Sequence, residues 1–146
     1  MIEQLSVFLE NRPGRLAELS RTLGDAGIDM HALMVAETSD YGVIRIICDS
    51  PRRAKGLLEA RGFGASIAQV TAVEIPDRPG GLADVLEVLD AAGVNVEYAY
   101  CFVEPSGEAA VDVFKVDAED AETALQQAGF RVLAAEELYA PDSAGS

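Results

Sequence analysis

Asn11-Arg12-Pro13-Gly14-Arg15-Leu16-Ala17 returns as Asp77-Arg78-Pro79-Gly80-Gly81-Leu82-Ala83, 66 positions on if Pro13 is matched to Pro79. The echo holds beyond the heptapeptide. Leu23 answers Leu89, and Ala26-Gly27-Ile28-Asp29 answers Ala92-Gly93-Val94-Asn95. Further on, Gly62-Phe63 matches Gly129-Phe130 and Asp49 matches Asp117, with the offset drifting by one and then two residues, as a small insertion in a surface hairpin would give. A repeat of this length is a whole supersecondary unit, so the 146-residue chain is a duplicated domain rather than a solenoid of short modules. The expected division is 1–69 and 70–139, followed by a small, polar, Pro-containing flexible tail at 140–146.

Each half reads in the same order. Ile2 to Leu9 alternates with Leu5, Val7 and Leu9 on one face, as a half-buried strand does. Asn11-Arg12-Pro13-Gly14 breaks it, and Leu16, Leu19, Leu23 and Ala26 follow at helical spacing up to Gly27. Ile28 to Thr38 and Val43 to Cys48 form a hairpin around Ser39-Asp40-Tyr41-Gly42. Asp49-Ser50-Pro51 opens a second helix carrying Ala54, Leu57 and Leu58, and a short strand near Ser66 to Ala68 completes the unit. In the second half the strand Val70 to Ile75 leads to a helix with Leu82, Val85, Leu86 and Leu89. The strands Val94 to Val103 and Ala110 to Val116 come next. A helix with Ala121, Ala124 and Leu125 follows, and the stretch Val132 to Tyr139 contains the last strand. The order strand-helix-strand-strand-helix-strand predicts an α+β fold: two ferredoxin-like βαββαβ units in tandem, each an antiparallel sheet with its helices on one face.

Charge narrows the partners. The net charge is −14, and it is unevenly shared: residues 1–69 carry 8 Lys/Arg against 9 Asp/Glu, whereas residues 70–146 carry 3 against 16. That balance argues against nucleic acid and against an anionic membrane surface. No apolar run approaches membrane-spanning length, and Glu3 follows the start too closely for a signal peptide, so a cytoplasmic protein is expected. Cys48 and Cys101 have no metal or disulfide spacing, and Cys101 reads as a small buried residue. With one histidine, no nucleophile-base motif and no phosphate loop, no catalytic residue, metal or cofactor is expected.

The Pro-Gly turns are the candidate binding elements. Pro13 and Pro79 fix φ, Gly14 and Gly80 leave room for a ligand beside the backbone, and each turn feeds a helix whose first amides lack partners. Such amides favour a carboxylate or another anion.

The pattern Asn/Asp-Arg-Pro-Gly-x-Leu-Ala, a helix, Ala-Gly-Ile/Val-Asp/Asn and then a strand resembles the ACT domain over nearly the whole chain, with no catalytic domain attached. ACT domains are small-molecule sensing modules of amino-acid metabolism, in which domains pair side by side and hold an amino acid between them. The resemblance implies a ligand between the first turn of one unit and the start of the second strand of its neighbour. Carried onto this sequence, the turn positions are Asn11, Arg12, Gly14, Arg15 and Leu16, and Asp77, Arg78, Gly80, Gly81 and Leu82; the strand positions are Asp29, Met30 and His31, and Asn95, Val96 and Glu97. If the sheets join across the repeats, Asn11 faces Asn95 around one pocket and Asp77 faces Asp29 around the other. An amide pair can both donate to a carboxylate and accept from an ammonium group, which makes Asn11/Asn95 the better amino-acid site. Arg12 and Arg15 are candidates to clamp a carboxylate, against the preference of helix-start arginines for solvent.

The implied protein is a non-enzymatic regulatory binder of a free amino acid or similar small carboxylate. A homodimer is expected because sheet edges in so small a unit need covering. The alternative is a stand-alone regulatory subunit acting on a metabolic enzyme through protein contacts, like the small subunit of acetolactate synthase, with the acidic second half as its docking face.

Overall fold

The computed structural model describes residues 2–10, 12–37, 41–103, 109–117 and 120–143. The element order is β1 (Ile2–Glu10), α1 (Arg15–Asp25), β2 (Met30–Glu37), β3 (Tyr41–Cys48), α2 (Pro51–Glu59), β4 (Gly64–Pro76), α3 (Gly81–Ala91), β5 (Val96–Val103), β6 (Ala109–Val116), α4 (Ala121–Gln127), β7 (Arg131–Val132) and α5 (Ala135–Leu138). Two compact units divide these elements, and the division falls between Ala68 and Gln69, inside β4.

In the first unit the strands lie in the order β2-β3-β1-β4. Leu5 stands opposite Ile46, Val7 opposite Ile44 and Leu9 opposite Gly42, so one face of β1 and β3 is apolar throughout. Helices α1 and α2 cover that face with Leu19, Leu23, Ala54 and Leu58, and Phe63 seals the end. The helical periodicity explains Leu19 and Leu23, one turn apart and fully buried. After Gly27, the Ile28 amide returns to the Leu23 carbonyl at 3.0 Å, which stops α1 and starts the next chain segment.

The second unit repeats this almost bond for bond. Its order is β5-β6-β4-β7, again second-third-first-fourth. Val73, Ile75, Phe114 and Val116 form the apolar face, and Val85, Leu89, Ala121 and Leu125 pack on it from α3 and α4. The Val94 amide bonds to the Leu89 carbonyl at 2.9 Å, as Ile28 does to Leu23. The tandem βαββαβ reading is thus the observed fold.

The chain beyond β7 differs from the expectation. The repeat places residues up to 139 in the second unit and 140–146 in a tail, but 135–138 form a short helix and 135–143 group with the first unit, while 144–146 lie outside the described residues. Tyr139 is buried there and its hydroxyl accepts the Glu3 amide at 3.0 Å. Ala140 and Asp142 are also tied down. The Ser50 amide donates to the Ala140 carbonyl at 2.7 Å, the Ala140 amide donates to Asp49 Oδ1 at 2.7 Å, and the Arg52 and Arg53 amides each donate to the Asp142 carboxylate at 3.0 Å. The helix-start amides of α2 therefore find their acceptor about ninety residues away rather than locally. Ser50, left-handed at φ 45°, is held by the same segment. Asp142→Ala will destabilise the first unit by about 1 kcal/mol, the scale of a lost helix cap, with faster hydrogen exchange at the Arg52 and Arg53 amides. Urea denaturation and exchange by NMR check both.

Candidate functional site

The two Pro-Gly turns have one construction. The Arg12 amide bonds to the Glu10 carbonyl at 2.9 Å, and the Arg78 amide to the Pro76 carbonyl at 3.0 Å. Gly14 and Gly80 then take φ +91° and +87°, a left-handed conformation that a side chain would strain. Their carbonyls accept the amides of Glu18 and Asp84, which starts α1 and α3. Neither helix start has a side-chain cap; in α3 the Gly81 amide closes on the Arg78 carbonyl at 3.0 Å, and the positive end of each helix dipole lies at its turn. Asn11, the first residue of the turn motif, lies outside the described residues.

The halves diverge at the next position. Gly81 is buried, and a Cβ there would lie 2.5 Å from the Pro76 carbonyl oxygen. The first unit carries Arg15 instead. Its guanidinium stacks 4.0 Å over the Phe63 ring and pairs with Glu18 at 2.9 Å, leaving the side chain 12% exposed. The expected preference for solvent yields to that aromatic face. Arg12 does point outward, paired with Glu10 at 3.1 Å. In the second unit Arg78 is engaged by Asp84 at 2.8 Å and by the Pro79 carbonyl at 3.2 Å.

A cleft of about 150 Å³ opens beside the first turn, lined by Leu9, Glu10, Arg12, Leu16, Val35, Gly42 and Ile44. Leu16, expected in the helix's buried stripe, is 42% exposed because it forms the rim of this cleft rather than its floor. Leu82 occupies the same place on α3 and is likewise exposed. The apolar lining suits an aliphatic group, and Glu10 and Arg12 are its charged residues. Val35, Gly42 and Ile44 were not among the residues expected here; the alternation along β2 and β3 already put Val35 and Ile44 on the helix-bearing face.

The strand openings lie elsewhere. Leu9 and Glu10 pair with Gly42 and Tyr41, whereas Met30 pairs with Cys48 at the other end of β3. At roughly 3.4 Å per residue, the turn and the strand opening of one unit are separated by about 20 Å. Each unit alone therefore keeps its two sets of expected site residues apart. Asp29 is exposed and its carbonyl accepts the Asp49 amide at 3.0 Å, while Met30 packs on the first core. His31 sits where the β2/β3 register shifts, and its Nε2 lies 2.9 Å from Asp49 Oδ1. The Asp49 carboxyl is held below the usual carboxylate range, first by the Ala140 amide and further by His31. In the second unit, Asn95 is exposed, and its backbone N–H donates to Asp117 Oδ1 at 2.9 Å. Val96 packs on the second core, Glu97 pairs with Lys115 at 3.4 Å, and Asp77 is exposed at its turn.

One expectation is reversed: Cys101 is exposed, and it is Cys48 that is buried. A small residue on an outer strand of a sheet loses its cover when no bulky neighbour lies beyond it. Among the described residues no group of three or more His, Cys, Asp or Glu side chains is placed to hold a metal ion, and no helix is long and apolar enough to cross a membrane.

Duplicated βαββαβ units, each opening its first helix from a Pro-Gly turn without a side-chain cap, define a pair of ferredoxin-like modules. The chain belongs to the ACT domain pair family, whose model matches residues 1–139. Among solved structures it is similar to a Bacteroides thetaiotaomicron protein, at 36% identity over 94% of each chain with a TM-score of 0.88. It shares its fold with the regulatory subunit of aspartate kinase from Thermus thermophilus in its ligand-free form, at 20% identity over 86% of this chain and 89% of that one (TM-score 0.67). The corresponding subunit from Thermus flavus is alike, at 20% identity over 85% and 88% (TM-score 0.62). No curated protein matches the sequence.

Proposed function

We propose that this protein is a non-catalytic regulatory binder of a free amino acid or similar small carboxylate, acting in the cytoplasm as a homodimer. The observation that carries the reading is the matched pair of uncapped turns at Gly14 and Gly80, each offering helix-start amides to an anion. The 150 Å³ cleft beside the first turn supports it, since apolar walls next to an anion site suit an amino acid's two ends. A ligand touching both a turn and a strand opening must be shared by two ACT units, because one unit holds them at opposite ends of its sheet. On this reading Asn11 and Asn95 contribute the amides that tell an amino acid from a simple anion, and binding changes how ACT units associate.

The test is a thermal-shift screen against the common amino acids at millimolar concentration. A ligand at about a hundred times its Kd adds roughly 2.7 kcal/mol, several degrees for a chain of this size. A selective shift, lost in Asn11→Ala or Asn95→Ala, is the expected result. A shift that survives both but vanishes in Asp29→Ala would move the site to the carboxylate pair.

The concentration of acid in residues 70–146, 16 Asp/Glu against 3 Lys/Arg, favours a second reading in which that surface docks a basic face of a metabolic enzyme. No response to any amino acid, with salt-sensitive capture of such an enzyme, would select it.

A further inference from the structure

The repeat allows the first unit's cleft to be traced, wall by wall, onto the second. Val7 stands opposite Ile44 and Val73 opposite Asp112; Val35 stands opposite Ile44 and Cys101 opposite Asp112. The residues lining the first cleft, Leu9, Leu16, Val35, Gly42 and Ile44, thus correspond to Ile75, Leu82, Cys101, Ala110 and Asp112. Two aliphatic walls have become a thiol and a carboxylate.

Asp112 is an unusual residue in that place. It lies on the helix-bearing face of β6, between Ala110 and Phe114 of the second core, and is only 4% exposed. The Cys101 thiol donates to its carboxylate, and the Oδ2 atom is buried with no hydrogen-bond partner among the described residues. Asp77, in the turn, is close enough to Cys101 to act on it electrostatically. The arginine of that turn, Arg78, is already engaged by Asp84 and Pro79. An ionised carboxylate held without a counter-charge in an apolar setting is costly, and burial pushes the Asp112 carboxyl upward in consequence. A cation entering beside it removes that cost.

We infer that the second unit's turn region binds a primary ammonium group carried on a short apolar stem, with Asp112 as its anchor and the Cys101 sulfur as a companion contact. An ammonium is a compact point charge with three donors, which suits one buried, unpartnered carboxylate oxygen beside a sulfur better than the flat fork of a guanidinium does. Ile75 and Leu82 supply apolar surface for the stem, and the net acidity of residues 70–146 draws a cation toward it. The two units then take chemically different groups, an aliphatic one in the first and a cationic one in the second. This deepens the regulatory reading above and rests on it for the biological ligand.

The test uses the whole protein and two probes of one shape, n-butylammonium chloride and n-butanol, at matched ionic strength. The butylammonium ion raises the thermal midpoint and gives a calorimetric binding signal where butanol gives none. In Asp112→Asn, which keeps the shape and removes the charge, the affinity falls at least ten-fold; Cys101→Val lowers it less. Equal responses to both probes, or a butylammonium response undiminished in Asp112→Asn, overturn the inference. The wild-type contrast between the probes decides the matter even if Asp112→Asn fails to fold. An amino-acid response with no butylammonium response sinks this inference and leaves the regulatory reading standing. A butylammonium response lost in Asp112→Asn, with no response to any amino acid, does the reverse.

Discussion

Phe114→Ala will destabilise the second unit by about 3–5 kcal/mol, the cost of removing a fully buried aromatic side chain and leaving a cavity. The reason lies in how the two cores were filled. Phe114 stands opposite Thr71, and the matching pair in the first unit is Leu5 opposite Ile46. One unit divides the space between two aliphatic residues of similar size, the other between a small residue and a large one. Phe114→Ile alone should therefore leave a void, and Thr71→Leu alone should overfill the site and forfeit the Thr71 hydroxyl's bond to Glu122 Oε1 at 3.4 Å. Combined, they should recover stability, with a coupling of about 1–3 kcal/mol in a double-mutant cycle read by urea denaturation. Simple additivity would mean that the opposed pair is not the packing unit.

The next largest effect is expected at the second turn. Gly81→Ala places a methyl 2.5 Å from the Pro76 carbonyl oxygen, which is backbone and cannot step aside as a side-chain tip would. The turn must open, and a net loss of about 2–3 kcal/mol is expected, on the scale of other overpacked sites, despite alanine's better helix propensity. Gly14→Ala provides the contrast. Its Cβ would meet nothing within 4 Å, so only the left-handed φ of +91° is penalised, at about 1–2 kcal/mol. Thermal denaturation of both variants tests the ranking. If Gly81→Ala proves the milder change, the close approach of α3 to the end of β4 is not what glycine is there to permit.

Much of this architecture was legible before any coordinates. The duplicated Pro-Gly turn, the Leu19/Leu23 and Val85/Leu89 spacings and the strand alternation lead to the element order and to both helix-covered sheets, because local periodicity and turn chemistry agree in each half. The site was legible only in part. The turns are where the motif put them, but Leu16 and Leu82 looked like core because helical spacing reports a face, not whether that face reaches the end of the sheet. Asp112 was within reach: it falls in the alternating set with Ala110, Phe114 and Val116, at the place where the repeat has Ile44. A lone acid in a strand reads as solvated, and only the comparison of units turns it inward. Arg15 resting on Phe63 joins residues 48 positions apart, a pairing that no local signal carries.

The return of the chain's later residues to the first unit has a consequence for biosynthesis. Glu3–Ala68 leaves the ribosome with its sheet and both helices encoded, yet the partners of Ser50, Asp49 and the α2 amides are translated only after the whole of Gln69–Ala134. Gln69–Ala134 carries nearly all of its own hydrogen-bonding complement in one uninterrupted stretch of messenger. The earlier-made unit is therefore the one that waits, and a released chain ending before residue 135 would hold every strand of its second unit while the second helix of its first unit stayed uncapped.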